Sequence, residues 1–380
     1  MSLFNDLPPP TTSGQEKKLC NSGKATTSSD SNNLTHHHTK IFPDSLPPKL
    51  LPGTSQASQV PVSRKRPSTD AGKNVKHEAK QQKLSNVFLA TLQSYVAERK
   101  GERDDMQDAH VLMDNCTQLF KQLSSKISRV AYFAVFDGHG GSKASKHCAE
   151  RLHVHLSQKI PKSDVSNFDK EMKRQVLDSF KSIDEEFLKE ASTKKPVWKD
   201  GTTVCCVLVL DDTLYIANLG DSKAILCRYQ AESKKHVSIP LSKEHNPSNY
   251  EERQRIQKAG GSVREGRVLG ILEVSRSIGD GQYKRCGVIN VPDVKRCQLC
   301  SNDRFILIAC DGLWKVYNPD QAIQFVLAVL QDNSVQPPED SNKTLENYRF
   351  EMACNRLASE AVRKGSADNV TVVLVSVHKL

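Results

Sequence analysis

No apolar run in this 380-residue chain approaches the roughly 18–20 residues of a membrane span, so no membrane partner is expected. The start, Met1-Ser2-Leu3-Phe4-Asn5-Asp6, lacks the basic and apolar regions of a secretory leader. Eleven cysteines fall into no regular framework, which excludes a disulfide scaffold and predicts a reduced, cytoplasmic protein with free thiols. Cys297-Gln298-Leu299-Cys300 has CxxC spacing but no second pair, so a structural or incidental role is expected rather than zinc. The Gly-Lys-Ser/Thr order of a P-loop is absent from Gly138-His139-Gly140-Gly141-Ser142-Lys143. Neither a Ser-His-Asp set nor a cysteine–arginine nucleophile loop is evident. Aromatic residues make up 6% of the chain, and residues 1–85 hold only Phe4 and Phe42, too few to build a core there.

Residues 1–85 instead carry Ser, Thr, Asn, Lys and nine of the 17 prolines, a composition that predicts a disordered basic tail. The formal charge of +10 is uneven. Residues 1–86 hold 12 Lys/Arg against 6 Asp/Glu, so +6 of it lies there and +4 is left for the rest. A body so nearly balanced is not expected to bind nucleic acid. Two patterns interrupt the tail. Leu3-Phe4-Asn5-Asp6-Leu7-Pro8-Pro9 is echoed by Ile41-Phe42-Pro43-Asp44-Ser45-Leu46-Pro47-Pro48, a repeat that reads as a docking motif or as chance in a biased segment. Ser63-Arg64-Lys65-Arg66-Pro67 reads as a nuclear-import signal or as an ordinary basic cluster. His36-His37-His38 is read as solvated chain.

A single domain over 86–380 follows. Ser94-Tyr95-Val96-Ala97 starts a strand, and the apolar run 130–136 is a second, ending at Asp137. Apolar residues at helical spacing predict helices over 142–160 and 168–192. Residues 202–210 form a near-continuous apolar run, turn at Asp211-Asp212 and return through 214–218, a hairpin; 224–227 adds a strand. Ser248-Asn249-Tyr250-Glu251 fits a capping box for a short helix stopped by Gly260-Gly261. Residues 267–285 are polar and glycine-bearing, a candidate flap. A buried strand over 304–310, helices from Asn318-Pro319 and up to Lys364, and a last strand over 369–377 complete the pattern. Hairpin-linked strands with paired helices between them predict an α+β class, with antiparallel sheets packed face to face and helices outside.

Chemistry gathers at aspartates. Asp137 and Asp311 each end an apolar strand and precede glycine, while Asp368 precedes a strand expected to run the other way. In an antiparallel sheet such ends share a rim. Three clustered carboxylates repel one another unless a cation joins them, and hard oxygen ligands select Mg²⁺ or Mn²⁺. Against this stands the reading of each Asp as a separate turn residue. His139, next to Asp137, is a proton carrier at the same rim. Together these features predict metal-assisted hydrolysis.

Asp137-Gly138-His139-Gly140-Gly141, Asn218-Leu219-Gly220-Asp221-Ser222, Val274-Ser275-Arg276-Ser277-Ile278-Gly279-Asp280, Cys310-Asp311-Gly312-Leu313-Trp314 and Ser366-Ala367-Asp368-Asn369-Val370 occur in the order seen in metal-dependent PPM-type (type 2C) serine/threonine phosphatases, which the chain resembles over about 90–380. The resemblance implies a β-sandwich flanked by helices on both sides and two Mg²⁺ or Mn²⁺ ions. It implies phosphoprotein substrates, hydrolysed by direct attack of a metal-activated water, in a signalling role and as a monomer. It implies that Asp137 bridges the ions, that the Gly138 carbonyl ligates one, and that Asp311 and Asp368 hold the other. Arg103 would bind phosphate, Asp108 would orient water and His139 would protonate the leaving alkoxide. Two departures stand out. Many relatives have Glu at Gln107, and many have Asp at Lys315, where the acid contributes to an additional metal site. Both departures motivate the rival reading of a catalytically weak phosphoprotein-binding scaffold; a two-metal phosphodiesterase is the other rival.

Overall fold

The computed structural model describes residues 90–123, 127–161 and 167–379, so the expectations for the tail, with its repeated motif and basic cluster, lie outside the described residues. The strands are β1 (Ala90–Arg99), β2 (Ala109–Met113), β3 (Val130–Phe136), β4 (Gly138–His139), β5 (Gly201–Thr202), β6 (Val204–Leu210), β7 (Thr213–Leu219) and β8 (Lys223–Gln230). They continue with β9 (Lys235–Pro240), β10 (Val263–Arg264), β11 (Arg267–Val268), β12 (Ile278–Gly279), β13 (Asp293–Gln298), β14 (Asp303–Ala309) and β15 (Val370–Lys379). The helices are α1 (Lys143–Lys159), α2 (Phe168–Thr193), α3 (Tyr250–Lys258), α4 (Gly281–Lys284), α5 (Asp311–Trp314), α6 (Pro319–Gln331) and α7 (Leu345–Arg363).

Two five-stranded sheets dominate, ordered β1-β15-β14-β8-β9 and β13-β7-β6-β3-β2, with antiparallel ladders throughout. Strand alternation explains why their runs are apolar on every residue. On β3, Ala131, Phe133 and Val135 face the opposite sheet, meeting Ile306, Ile308, Val373 and Val375. The intervening Val130, Tyr132, Ala134 and Phe136 pack beneath α1 and α2 with Leu152, Phe180 and Phe187. On β14, Phe305 and Leu307 pack outward against Phe350 and Leu357 of α7. Both sheet faces are therefore covered, giving the expected α-β-β-α layers.

Besides the short pieces of two to four residues, three strands escaped the sequence reading. β2, β9 and β13 are partly exposed sheet-edge or near-edge strands of mixed polarity, without the apolar run used to recognise the others. The capping box expected at Ser248 does not form. Asn249 is the N-cap of α3, without a side-chain cap bond; its side-chain amide instead donates to the Glu244 carbonyl at 3.2 Å. A full capping box does occur at α6, where Asn318 and Gln321 exchange bonds of 2.9 and 3.1 Å.

The polar stretch 267–285 has its own small core of Ile256, Val268, Leu272, Val274, Tyr283 and Val288. It is fixed to the body by charge. The Arg276 guanidinium donates to Glu252 at 2.6 Å and to Asp293 at 3.0 Å, while Arg255 and Ser275 also donate to Glu252, at 2.7 and 2.6 Å. Burial pushes the Glu252 carboxyl up, but these donors outweigh it and hold it well below the usual carboxylate range.

Phe133 is fully buried between the sheets. Phe133→Ala should cost about 3–5 kcal/mol of stability, read from the midpoint of urea unfolding; a loss below about 1 kcal/mol would contradict the packing described.

Candidate active site

Strand register brings the acidic residues to one end of the sandwich. β14 leaves its ladder where Ala309 faces Val372 on β15, so Asp311, two residues on, and Asp368, just before β15, share a rim. Asp137 belongs to the other sheet, following β3, with Asp108 opposite it just before β2. The cluster is therefore assembled across the sandwich rather than along one sheet as the strand ends alone suggested. Carboxylate oxygens of Asp137, Asp221 and Asp311 lie within 4.8 Å of one another, and so do the ligand atoms of Asp108, Asp137 and Cys310. Asp368 joins through cations: Arg103 Nη2 is 2.9 Å and Lys315 Nζ 2.8 Å from its Oδ2.

Close backbone approach holds the two ends together. A side chain at Gly138 would collide with the Gln107 carbonyl, and one at Gly312 with the Asn369 carbonyl. The Asp137 carbonyl accepts from Thr203 N–H at 2.9 Å and Thr202 Oγ1 at 3.0 Å, which fixes the turn after β3. Gln107, where a carboxylate was expected to be missed, accepts from the Gly141 N–H at 3.3 Å and so still supports the Asp137 loop.

The electrostatics follow from burial. Burial, then Asp108, Asp311 and Asp221, push the Asp137 carboxyl well above its ordinary value. Burial raises Asp108 to about 6, partly opposed by Thr371, whose hydroxyl donates to its Oδ2 at 2.6 Å. Asp221 is raised to about 8 by burial and then by Asp311. Burial also lifts Asp311, against the pull of Lys315. Asp368 is lifted by burial too, but Lys315 and Arg103 outweigh that and leave it below the ordinary value. Asp108 Oδ1 and Asp221 Oδ1 are buried without hydrogen-bond partners. Orphaned buried carboxylate oxygens beside further carboxylates are the donor set of a hard divalent cation, so the residues fit Mg²⁺ or Mn²⁺. Cys310 shares the wall but is buried and held as a thiol, with Thr371 N–H donating to its sulfur at 3.1 Å.

A cavity of about 540 Å³ opens over this cluster, lined by Arg103, Asp137, Gly138, His139, Asp311 and Asp368 among others. The predicted residues Arg103, Asp137, Gly138, His139, Asp311 and Asp368 all reach it, and Asp108 lies buried behind Asp137. The 267–285 stretch supplies the facing wall, including Ile271, Glu273 and Tyr283, which agrees with its reading as a flap. Arg103 pairs with Asp368 rather than with Asp104 or Asp105, and its side chain stays 60% exposed.

Three contributors were not singled out from the sequence. Asp221 lay in a quoted motif but reads as a turn residue. Asp280 pairs with His139, with Oδ2 2.7 Å from Nε2, and also accepts from Ser277 at 2.6 Å. Burial opposes the imidazolium, but Asp280 outweighs it and raises the His139 value. Asn369 ties the 100–107 loop in place: its side chain donates to the Lys100 and Asp105 carbonyls at 2.7 and 3.1 Å and accepts from Gln107 N–H at 2.8 Å. All ten described cysteines are free, Cys297 and Cys300 included.

The family model described as "Protein phosphatase 2C" matches residues 93–370. Over 315 residues the chain is 59% identical to the integrin-linked kinase-associated serine/threonine phosphatase 2C of Homo sapiens, spanning 82% of this chain and 80% of that protein. It is 38% identical over 303 residues to probable protein phosphatase 2C 67 of Oryza sativa subsp. japonica, spanning 76% of each. The solved serine-threonine phosphatase 2C from Toxoplasma gondii superposes with a TM-score of 0.60 at 22% identity, over 76% of this chain and 96% of that one, a likeness of fold.

Asn369→Ala removes three bonds from the loop that carries Arg103. We expect a loss of about 1–3 kcal/mol, and faster amide hydrogen exchange confined to residues 100–107. Unchanged exchange there would show that the loop is held by other means.

Proposed function

The chain belongs to the protein phosphatase 2C family and is a metal-dependent serine/threonine phosphatase, and we propose that it hydrolyses phosphoserine and phosphothreonine at the cavity over Asp137, Asp311 and Asp368. The observation that carries this reading is the convergence of carboxylates from both sheets on one wall, with buried oxygens of Asp108 and Asp221 lacking partners.

Asp137, the Gly138 carbonyl, Asp311 and Asp368 would hold two Mg²⁺ or Mn²⁺ ions at this wall. Such ions neutralise phosphate charge and acidify water when bound. Asp108, held by Thr371, orients the attacking water. Arg103 offers a planar fork at the mouth of the cavity for phosphoryl oxygens, exchanging its bond to Asp368 for the substrate. His139 protonates the departing serine or threonine oxygen. Asp280 engages Nε2, which leaves Nδ1 to carry the transferred proton and restrains the ring without a substrate contact of its own.

The substrates are phosphoproteins, met by a monomer acting in signalling. The name of the 59%-identical relative adds components of the integrin-linked kinase pathway as candidate partners. Ser63-Arg64-Lys65-Arg66-Pro67 supports a nuclear as well as a cytoplasmic location. Replacing Lys65 and Arg66 with alanine should move a fluorescent fusion out of the nucleus; an unaltered distribution would refute the import role.

On a phosphothreonine peptide, turnover should require Mn²⁺ or Mg²⁺ and stop with EDTA. Asp137→Asn should lower the rate by at least about a hundredfold. His139→Ala should cost about 10²–10⁴-fold on the peptide but far less on an aryl phosphate, whose leaving group is already acidic. Near-normal rates for Asp137→Asn would sink the assignment, and equal losses on both substrates would remove His139 as the acid.

A further inference from the structure

Lys315 stands where many relatives have Asp, and its ammonium lies inside the carboxylate cluster. Nζ is 2.7 Å from Asp311 Oδ2, 2.8 Å from Asp368 Oδ2 and 4.0 Å from Glu273 Oε2. The placement is built into the backbone. Lys315 follows the short helix α5 and donates its own N–H to the Asp311 carbonyl at 2.8 Å, so the two side chains lie one helical turn apart on the same face. The four-carbon stem then delivers a compact charge with three donors to oxygens from two chain segments 57 residues apart, 311 and 368. Its side chain is 44% exposed, so it can swing outward without unpacking the core.

We propose that Lys315 is a tethered counter-ion of the Asp311–Asp368 pair, and that the divalent ion assigned to this pair loads by displacing the lysine ammonium. The inference rests on the proposed role of those two aspartates as metal ligands. A dication coordinated by these oxygens would stand within a few ångströms of the ammonium, and the two cations repel at that distance. Without the ion, Lys315 and Arg103 partly offset the acids Asp311, Asp368 and Glu273. With it, two positive charges replace one, and the lysine is released toward solvent. The consequence is a metal site whose apparent affinity is reduced by an intramolecular competitor, so half-loading needs a higher free Mg²⁺ concentration than the acids alone would require.

Calorimetric titration of Mg²⁺ into the metal-free, full-length protein tests this. Lys315→Met should bind about tenfold more tightly than wild type, an ammonium partner having been removed, while Lys315→Arg should stay close to wild type. A second measurement needs no variant. Limiting acetic anhydride followed by peptide mass spectrometry should label Lys315 severalfold faster when Mg²⁺ saturates the protein than in EDTA, relative to the exposed Lys181. Equal Mg²⁺ affinity in wild type and Lys315→Met, or Lys315 labelling indifferent to Mg²⁺, would overturn the counter-ion role. If uptake is equal in those two proteins and lost in Asp311→Asn, the proposed active site stands without it. Absence of uptake by the wild type would remove both.

Discussion

Carboxylates from two different sheets crowd onto one poorly solvated wall, and most of what surrounds them answers to that crowding. Asp137 leaves the sheet built on β3, while Asp311 and Asp368 belong to the sheet built on β14 and β15, and the sandwich presses the two rims together. Left as anions without a cation, such groups repel and lose hydration, which is why Asp108, Asp137, Asp221 and Asp311 are all displaced toward the protonated form. The arrangement survives because its supports are elsewhere. Interlocked apolar rows between the sheets and beneath the helix layers fix the rim, and the rim in turn offers a cation a set of oxygens that needs no rearrangement to receive it.

Positive charge is distributed around the same wall with different degrees of freedom. Arg103 is carried by a loop that Asn369 ties down from beneath, so its guanidinium is positioned yet largely exposed. Lys315 is carried by a helical turn and reaches inward. Arg276 is sequestered entirely in structure, locking the flap to α3 and β13 through Glu252 and Asp293. Three basic residues near one cavity thus have three distinct roles, decided by which carboxylate each can reach. The flap itself combines an anchor on β13 with a small core of its own, and so presents Ile271 and Tyr283 to the cavity.

The layers and the strands at their centres were legible in sequence because β3, β6, β14 and β15 are buried on both faces and leave no polar alternation to confuse with surface. The edge strands β9 and β13 were not, since a strand that meets solvent carries lysine and arginine and resembles a loop. The helix before the flap was placed correctly, but its capping box was not realised: the N-cap falls at Asn249, one residue later than the motif placed it, and the Asn249 side chain turns back to the Glu244 carbonyl. Asp280 and Asn369 were hidden for a different reason. Each acts on a residue more than a hundred positions away, His139 and the 100–107 loop respectively, and no spacing along the chain records such a pairing.

By itself the sequence determined the residue types that end the buried strands, hence the presence of several carboxylates, a histidine and an arginine in glycine-bearing turns. It also determined the double-sided burial that forces two covered sheets. The tertiary structure decided that the carboxylates meet across the sandwich rather than along one sheet, that Asp221 joins them, that Asp280 holds the histidine, and that Lys315 turns inward instead of lying on the surface. The division has a physical cause. Burial and turn geometry are set by neighbours within a few residues, whereas the energy of a charge depends on every other charge within several ångströms, and only folding determines which those are.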